Sequence, residues 1–486
     1  VRNPVPSVPS QLIDVEVSID PRRGAPVAVL VPTPPEDAEP LSVGEVTSTG
    51  KAGDVLRIPG AGAGTRWLVG VGDGERKHYR LAGAALVRAA DGFIAAETEA
   101  GRKPSRAVQV QLPENASATQ VAELATGLFL GGYSFTVTAE DPAPGVKTVR
   151  LLTNAPDAVE AVARARQLAA AAALARDLAN APSNIKDPAW LAGTAERVVG
   201  AGTGLQVTIR DENWLAAQGF GGVLAVGGGS ASPPRLIEAE YRPRGAKTHL
   251  LFVGKGITFD TGGLSIKPAD GMHLMRTDMA GGGAVLAAVR AIAELRLPVR
   301  VTALVPAAEN HVSGSAYRPG DIVRHYGGKT TEVSNTDAEG RMVLADALAY
   351  GIAKFKPDAV IDVATLTGAM KVSLGTRTGG FFATEDALAD RVREAGDLAG
   401  EAWWQMPLLE DLVESVQGEL GDVRQAPGGP GGIAAALFLR EFTDGKPWAH
   451  LDIAGPARSD KTYADVVPGA TGFAARTLVE LAASYT

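Results

Sequence analysis

At 486 residues the chain is longer than one hydrophobic core usually serves, so two domains are the default expectation. Its formal charge of -8 is dispersed, with no basic tail, which favours solubility and removes the electrostatic footprint of a nucleic-acid binder. Cysteine is absent, which excludes disulfides and thiolate metal sites and is compatible with a reducing compartment.

Residues 1–12 hold three prolines and no long apolar core, so no secretory signal is expected there. No apolar stretch reaches the length of about 18 residues that crosses a bilayer. A soluble, cytoplasmic protein is therefore expected. Apolar runs at 26–31 and 67–71 read as strands and 81–97 as a helix. A strand at 108–112, a helix at 119–130 and a strand at 147–152 follow, which describes a small α/β domain over residues 1–158. It has no dense cluster of catalytic residue types, and a structural or assembly role is the reading. Gly70, Gly72 and Gly74 lack both the GxGxxG spacing and the lysine and serine of a phosphate loop.

Residues 159–179 are alanine-rich with few breakers, a helix signal that ends at the turn residues Asn180-Ala181-Pro182-Ser183-Asn184. Residues 159–184 thus read as a linker helix and turn, and 185–486 as a larger domain. Within it helices are expected at 188–199, 212–218, 280–293, 342–355, 386–398, 433–442 and 473–482. Strands are expected at 205–209, 235–240, 249–253, 299–305, 359–363 and 449–453, with a glycine-rich turn containing 227–230. Near-continuous apolar strands between helices imply an α/β/α layer with a central mixed sheet.

Chemistry concentrates in two stretches of this larger domain. Asn335-Thr336-Asp337-Ala338-Glu339-Gly340-Arg341 sets two carboxylates two positions apart, with a guanidinium two further on, in a turn before the helix expected at 342–355. Upstream, beyond the strand 249–253, glycine-rich chain carries Lys255, Asp260, Lys267 and Asp278. Crowded acids penalise one another unless something cationic compensates. Four oxygen donors without cysteine point to hard or borderline divalent ions, and their crowding to two ions sharing carboxylates. A pair of ions about 3.5 to 4 Å apart can activate a water and clamp an electrophile's oxygen together.

These two stretches, with 309–322 (ENHVSGSAYRPGDI), 364–369 (ATLTGA) and 450–455 (HLDIAG), resemble the leucyl aminopeptidases, the dinuclear metallo-exopeptidase family also called cytosol aminopeptidases. The resemblance is strong from about residue 160 onward and faint before it. It implies an enzyme that releases N-terminal amino acids, preferably Leu or Met-like, by attack of a water shared between two ions on the first peptide carbonyl. One ion is then held by Asp260, Asp337 and Glu339, with a backbone carbonyl of Asp337, and the other by Lys255, Asp260, Asp278 and Glu339. A lysine ligand needs a neutral amine, the form that two adjacent dications favour. Manganese or zinc is the implied metal, with magnesium or cobalt as alternatives. Lys267 resembles the residue that stays cationic and faces the scissile carbonyl. Arg341 resembles a clamp for bicarbonate, which serves as the general base, with Glu309 the alternative base. Met275 matches a position lining the pocket for the first side chain, and Thr365, Leu366 and Gly368 match a segment that holds the substrate main chain. No histidine has a role in this scheme. The family also implies peptide substrates and a homohexamer, a dimer of trimers.

The chain departs from the family's usual pattern at Gly281-Gly282-Gly283, His311-Val312 and Lys371-Val372-Ser373. The first puts the packing of the helix at 280–293 in question, and together they bear on substrate preference, leaving every ligand in place. Two other readings compete. A dinuclear phosphoester hydrolase would use similar acids but calls for histidine ligands or an arginine cluster. A non-enzymatic DNA- or protein-binding role, a side activity among bacterial members of that family, needs a basic groove that the charge balance does not support.

Overall fold

The computed structural model describes residues 7–37, 39–43, 45–58, 66–138, 142–202 and 204–486. Residues 1–6 of the proline-rich start lie outside the described residues. The chain divides into two compact units, Val1–Ala173 with Asp460–Pro468, and Leu174–Ser459 with Gly469–Thr486. No described helix is long and apolar enough to cross a membrane.

The first unit holds a six-stranded sheet in the order Asp14–Ser18, Thr148–Leu152, Ala107–Gln111, Val27–Pro32, Arg66–Gly72, Val55–Ile58. All its neighbours run parallel except the last pair. The helices Arg76–Glu99 and Ala118–Gly131 complete it. The second helix is started by a capping box, in which Ser117 Oγ accepts from the Gln120 amide while the Gln120 side chain accepts from the Ser117 amide. The alanine-rich stretch is one helix, Ala158–Asn180.

The second unit is built on a mixed sheet in the order Ala402–Gln405, Thr378–Ala383, Trp448–Asp452, Ala359–Ala364, His249–Gly254, Arg300–Asn310, Arg235–Tyr241, Gln206–Arg210. A further strand, Gly256–Asp260, lies parallel beside the far half of Arg300–Asn310. Every residue of His249–Gly254 and Ala359–Ala364 is buried, the signature of central parallel strands covered on both faces. Adjacent residues of one strand identify the two covers. Leu304 lies against the helix Glu339–Phe355 at Gly351, whereas Val305 lies against the helix Ala280–Glu294 at Gly282. Because neighbours on a strand point to opposite faces, the two helices flank the sheet.

Several local expectations change. Gly256–Asp260, read as glycine-rich connection, is a strand, because its short run can pair with a neighbour that extends to Asn310. The stretch 188–199 is an α-helix to Thr194 followed by a π-turn Ala195–Val199. The helix expected at 342 begins at Glu339, so the signature supplies the helix's first turn as well as the turn before it. The short helix Gly221–Gly227 and the strand Thr378–Ala383 carry too much glycine to be recognised by pattern, and the seven-residue helix Gly368–Leu374 is too short to show a helical period.

Candidate metal centre

The chemistry-bearing residues collect at the carboxyl ends of parallel strands, where α/β sheets present their clefts. Lys255 follows the strand that ends at Gly254, Asp260 closes Gly256–Asp260, and Thr365 and Leu366 follow the strand that ends at Ala364. Asp278 precedes the helix Ala280–Glu294, and Glu339 opens the helix Glu339–Phe355. Segments far apart in sequence thus meet, with the Lys255 ammonium donating to the Thr365 carbonyl at 2.9 Å.

Asp260, Asp337 and Glu339 each offer an oxygen, all within 4.8 Å of one another. Asp278 joins them through Lys255, whose Nζ is 2.9 Å from Asp278 Oδ2 and 2.8 Å from Glu339 Oε1. Lys267 Nζ bridges Asp260 Oδ2 at 2.8 Å and Asp337 Oδ1 at 2.5 Å. Each ammonium therefore sits between two acids, which shows that the acid pairs are spaced to share a cation. Glu339 Oε2 is buried with no hydrogen-bond partner among the described residues. An all-oxygen set with an orphaned buried carboxylate oxygen and one lysine nitrogen fits divalent metal ions better than it fits water.

The electrostatics follow from burial. Desolvation pushes Asp260 up to about 6, reinforced by Glu339 and opposed by both lysines. Burial likewise raises Asp278 and Glu339. Burial by itself lowers the pKa of Lys255, but Asp278, Glu339 and Asp260 together outweigh it and raise that pKa. The same opposition raises Lys267, where Asp260 is the largest attractive partner. The two ammonium groups thus offset part of the charge of the four acids, and a bound dication would have to displace them.

Gly340 is dictated by this crowding. A Cβ there would lie 2.7 Å from Lys255 Cε, so any other residue would push the lysine out of its acid cage. The glycine-rich start of the helix Ala280–Glu294 has a similar cause. A Cβ on Gly281 would lie 2.1 Å from the Val363 carbonyl oxygen, and one on Gly282 2.7 Å from Val305 Cγ1, whereas Gly283 leaves an ordinary 3.4 Å to Met279 Cε. The departure at 281–283 therefore preserves the close approach of helix to sheet.

Arg341 is buried in the first turn of its helix, where Nη1 donates to the Gln425 carbonyl at 2.6 Å. Its Nε has no partner among the described residues. Burial lowers its pKa to about 10, against the pull of Glu339 and Asp452, and it stays cationic at neutral pH. Met275 lies in the 3-10 turn Met272–Thr277, and its carbonyl accepts from the Asp278 amide at 3.2 Å. Thr365 turns inward, with Oγ1 donating to Asp278 Oδ1 at 2.7 Å, and the Leu366 amide donates to Asp452 Oδ1 at 3.1 Å. Gly368 opens the short helix beyond.

Four supporting residues escaped the sequence reading. Asn310 Nδ2 donates to Asp260 Oδ1 at 2.8 Å and to the Thr336 carbonyl at 3.0 Å. Tyr317 donates its hydroxyl to the same carbonyl at 2.7 Å. Thr336 and Ser265 exchange bonds, each amide donating to the other's hydroxyl at 3.1 and 2.8 Å, which joins the loop after Asp260 to the signature turn. Their only sequence signal was membership in the shared segments. Glu309, the alternative base, hydrogen-bonds Ser230 and is adjacent to Asn310 on one strand, so it points away from the face that Asn310 turns to Asp260. The histidines hold structure: His325 lies between Asp346 and Thr331, His450 pairs with Asp362, and His249 meets Thr302.

The sequence pattern of the cytosol aminopeptidase family, catalytic domain, matches residues 173–479. A probable cytosol aminopeptidase of Syntrophotalea carbinolica is 42% identical over 455 residues, covering 90% of this chain and 90% of that one. One of Streptomyces coelicolor is 44% identical over 463 residues, covering 90% and 88%. Among solved structures, the bottromycin maturation enzyme BotP in complex with Mn is 37% identical with a TM-score of 0.84, covering 95% of this chain and 99% of that chain.

Proposed function

Because the chain belongs to the cytosol aminopeptidase family, and so is a metal-dependent aminopeptidase, we propose that it releases N-terminal leucine or methionine-like residues from peptides at the Asp260, Asp337, Glu339 cluster. The observation that carries this reading is the cluster itself, with one lysine on each side of it.

Asp260, Asp337 and Glu339 would hold one divalent ion, and Lys255, Asp260, Asp278 and Glu339 a second, with manganese or zinc best suited to mixed carboxylate and amine donors. When bound, such ions acidify a water and polarise the substrate carbonyl. Everything else falls to the chain. Lys267, partly open to solvent, donates to the oxygen on which negative charge develops. Arg341, with its Nε unpartnered among the described residues, would hold a bicarbonate, which would supply a general base for the water's proton. The four acids are poor acceptors for that proton once they are engaged with cations. Thr365 keeps Asp278 oriented, Leu366 and Gly368 line the substrate main chain, and Met275 offers an adaptable thioether to the first side chain.

The test is hydrolysis of leucine anilide with and without added Mn or Zn, beside a phosphomonoester control. Metal-dependent release from the anilide alone is expected. Cleavage of the phosphomonoester in its place would overturn the assignment, and a set of acids without histidine already argues against that chemistry.

A further inference from the structure

Lys186 is fully buried, in the turn that follows the helix Ala158–Asn180. Its Nζ reaches three carbonyl oxygens: Leu178 at 3.0 Å, Ala179 at 2.9 Å and Arg276. The first two belong to the last turn of the helix, whose carbonyls have no partner within the helix and carry its negative end. The third belongs to the turn Met272–Thr277, two residues before Asp278 and next to Met275. Burying a lysine costs several kcal/mol unless its polar head is satisfied, on the order of the penalty for any desolvated charge. Closing a helix end does not call for a residue so costly. A purely capping lysine would also have no reason to reach across to Arg276.

The same helix end touches the other side of Asp278. Gly283, in the first turn of the helix that follows Asp278, faces the Ala175 carbonyl and the Leu178 Cβ. Asp278 is thus flanked on both sides by segments that rest on residues 175–179, one through packing and one through the Lys186 amine. Its carboxylate in turn meets Lys255 and Thr365.

We propose that Lys186 is a positioning residue for the metal centre, tying the Met275–Asp278 turn to the helix end so that Asp278 holds its ion and Met275 keeps its place in the first side-chain pocket. This rests on the two-ion reading given above. It makes a selective prediction, since the partners of the Lys186 amine among the described residues are Leu178, Ala179 and Arg276 and none belongs to the signature turn, so the ion held by Asp260, Asp337 and Glu339 should be spared.

The experiment is a titration of the metal-free full-length protein with Mn2+, following free ion by electron paramagnetic resonance, for the parent and for Lys186→Met, which keeps length and apolar bulk but donates nothing. Two ions per chain are expected in the parent. In the variant one ion should bind as before and the other should weaken by about tenfold or more, the scale for losing a group that supports a ligand. The ratio of kcat/KM for leucine anilide to that for alanine anilide, which does not depend on the fraction of active enzyme, should also fall. Equal weakening of both ions with an unchanged ratio would reduce Lys186 to a structural role and overturn the proposal, as would parent-like affinities. If Lys186→Met does not fold, Lys186→Gln, which retains an amide donor, is read in the same way. A parent that binds a single ion would overturn the two-ion reading instead, and the substrate ratio then decides the role of Lys186: a fall supports it and no change refutes it.

Discussion

Two cations near the acids are chemically distinct, and their variants should differ. Lys255 is enclosed by Asp278, Glu339 and the Thr365 carbonyl, with Gly340 against its stem, so it has no freedom to reach substrate. Lys267 is the more open of the pair and spans Asp260 and Asp337, from which it can turn to a substrate oxygen. Lys267→Ala is expected to lower kcat by roughly 100-fold, the scale of losing one oxyanion donor, while elemental analysis still finds both ions. An unchanged kcat would remove the role. Arg341 yields a second test, since its Nη1 is spent on Gln425 and its Nε is open. Depleting dissolved carbonate should slow the parent and adding it back should restore the rate. Arg341→Ala should be slower with its metal retained and nearly indifferent to carbonate. Equal carbonate dependence in both would show that Arg341 does not hold the working anion.

At the scale of elements, the start of the helix Ala280–Glu294 offers an internal comparison. Gly281→Ala would drive a methyl group against the Val363 backbone and should destabilise by about 1–3 kcal/mol, as overpacking does. Gly283→Ala makes only ordinary contacts, 3.4 Å to Met279 Cε, 3.5 Å to the Ala175 carbonyl oxygen and 3.7 Å to Leu178 Cβ, and removes a poor helix former worth up to about 1 kcal/mol, so it should be neutral or stabilising. Urea unfolding of the two metal-free variants decides, and equal midpoints would contradict the packing account. The strand His249–Gly254 carries a pH dependence. Burial first, and then Arg300, hold His249 down to about 4 from an ordinary 6.5. Between those values the unfolded chain carries a proton that the folded chain does not. The contribution is therefore present in full above pH 6.5 and lost as pH falls to about 4. His249→Gln, which retains a polar contact for Thr302, should show a shallower loss of stability across that window, and an unaltered slope would mean that another group titrates there.

For the whole molecule the open question is assembly. An exopeptidase with an exposed cleft would act on folded chains, and enclosing the sites in an oligomer limits access to short peptides. A homohexamer, arranged as a dimer of trimers, is the expected state, with the first unit serving assembly. Sedimentation velocity at working concentration checks it, and a fully active species at the 50.0 kDa of a single chain would rule it out.

What the sequence determined by itself is local. Apolar runs such as His249–Gly254 and the alanine-rich Ala158–Asn180 announce their conformation because strand and helix preferences act over a few neighbouring residues. The acids and lysines were legible for a related reason: Asp337, Glu339 and Arg341 fall within one short segment, and Gly254 and Gly256 flank Lys255 and mark crowding. Only the tertiary structure decided which of these segments meet. Asp278 reaches Thr365, and Asn310 reaches both Asp260 and the Thr336 carbonyl, across separations at which no pattern survives. Glu309 and Asn310 are neighbours of similar polarity, yet strand alternation turns one to Asp260 in the candidate metal centre and the other to Ser230. Gly256–Asp260 became a strand and Lys186 a buried tie for one physical reason. A backbone or an amine deprived of water takes whatever hydrogen-bond partner the packed chain brings to it, and that partner is chosen by the fold.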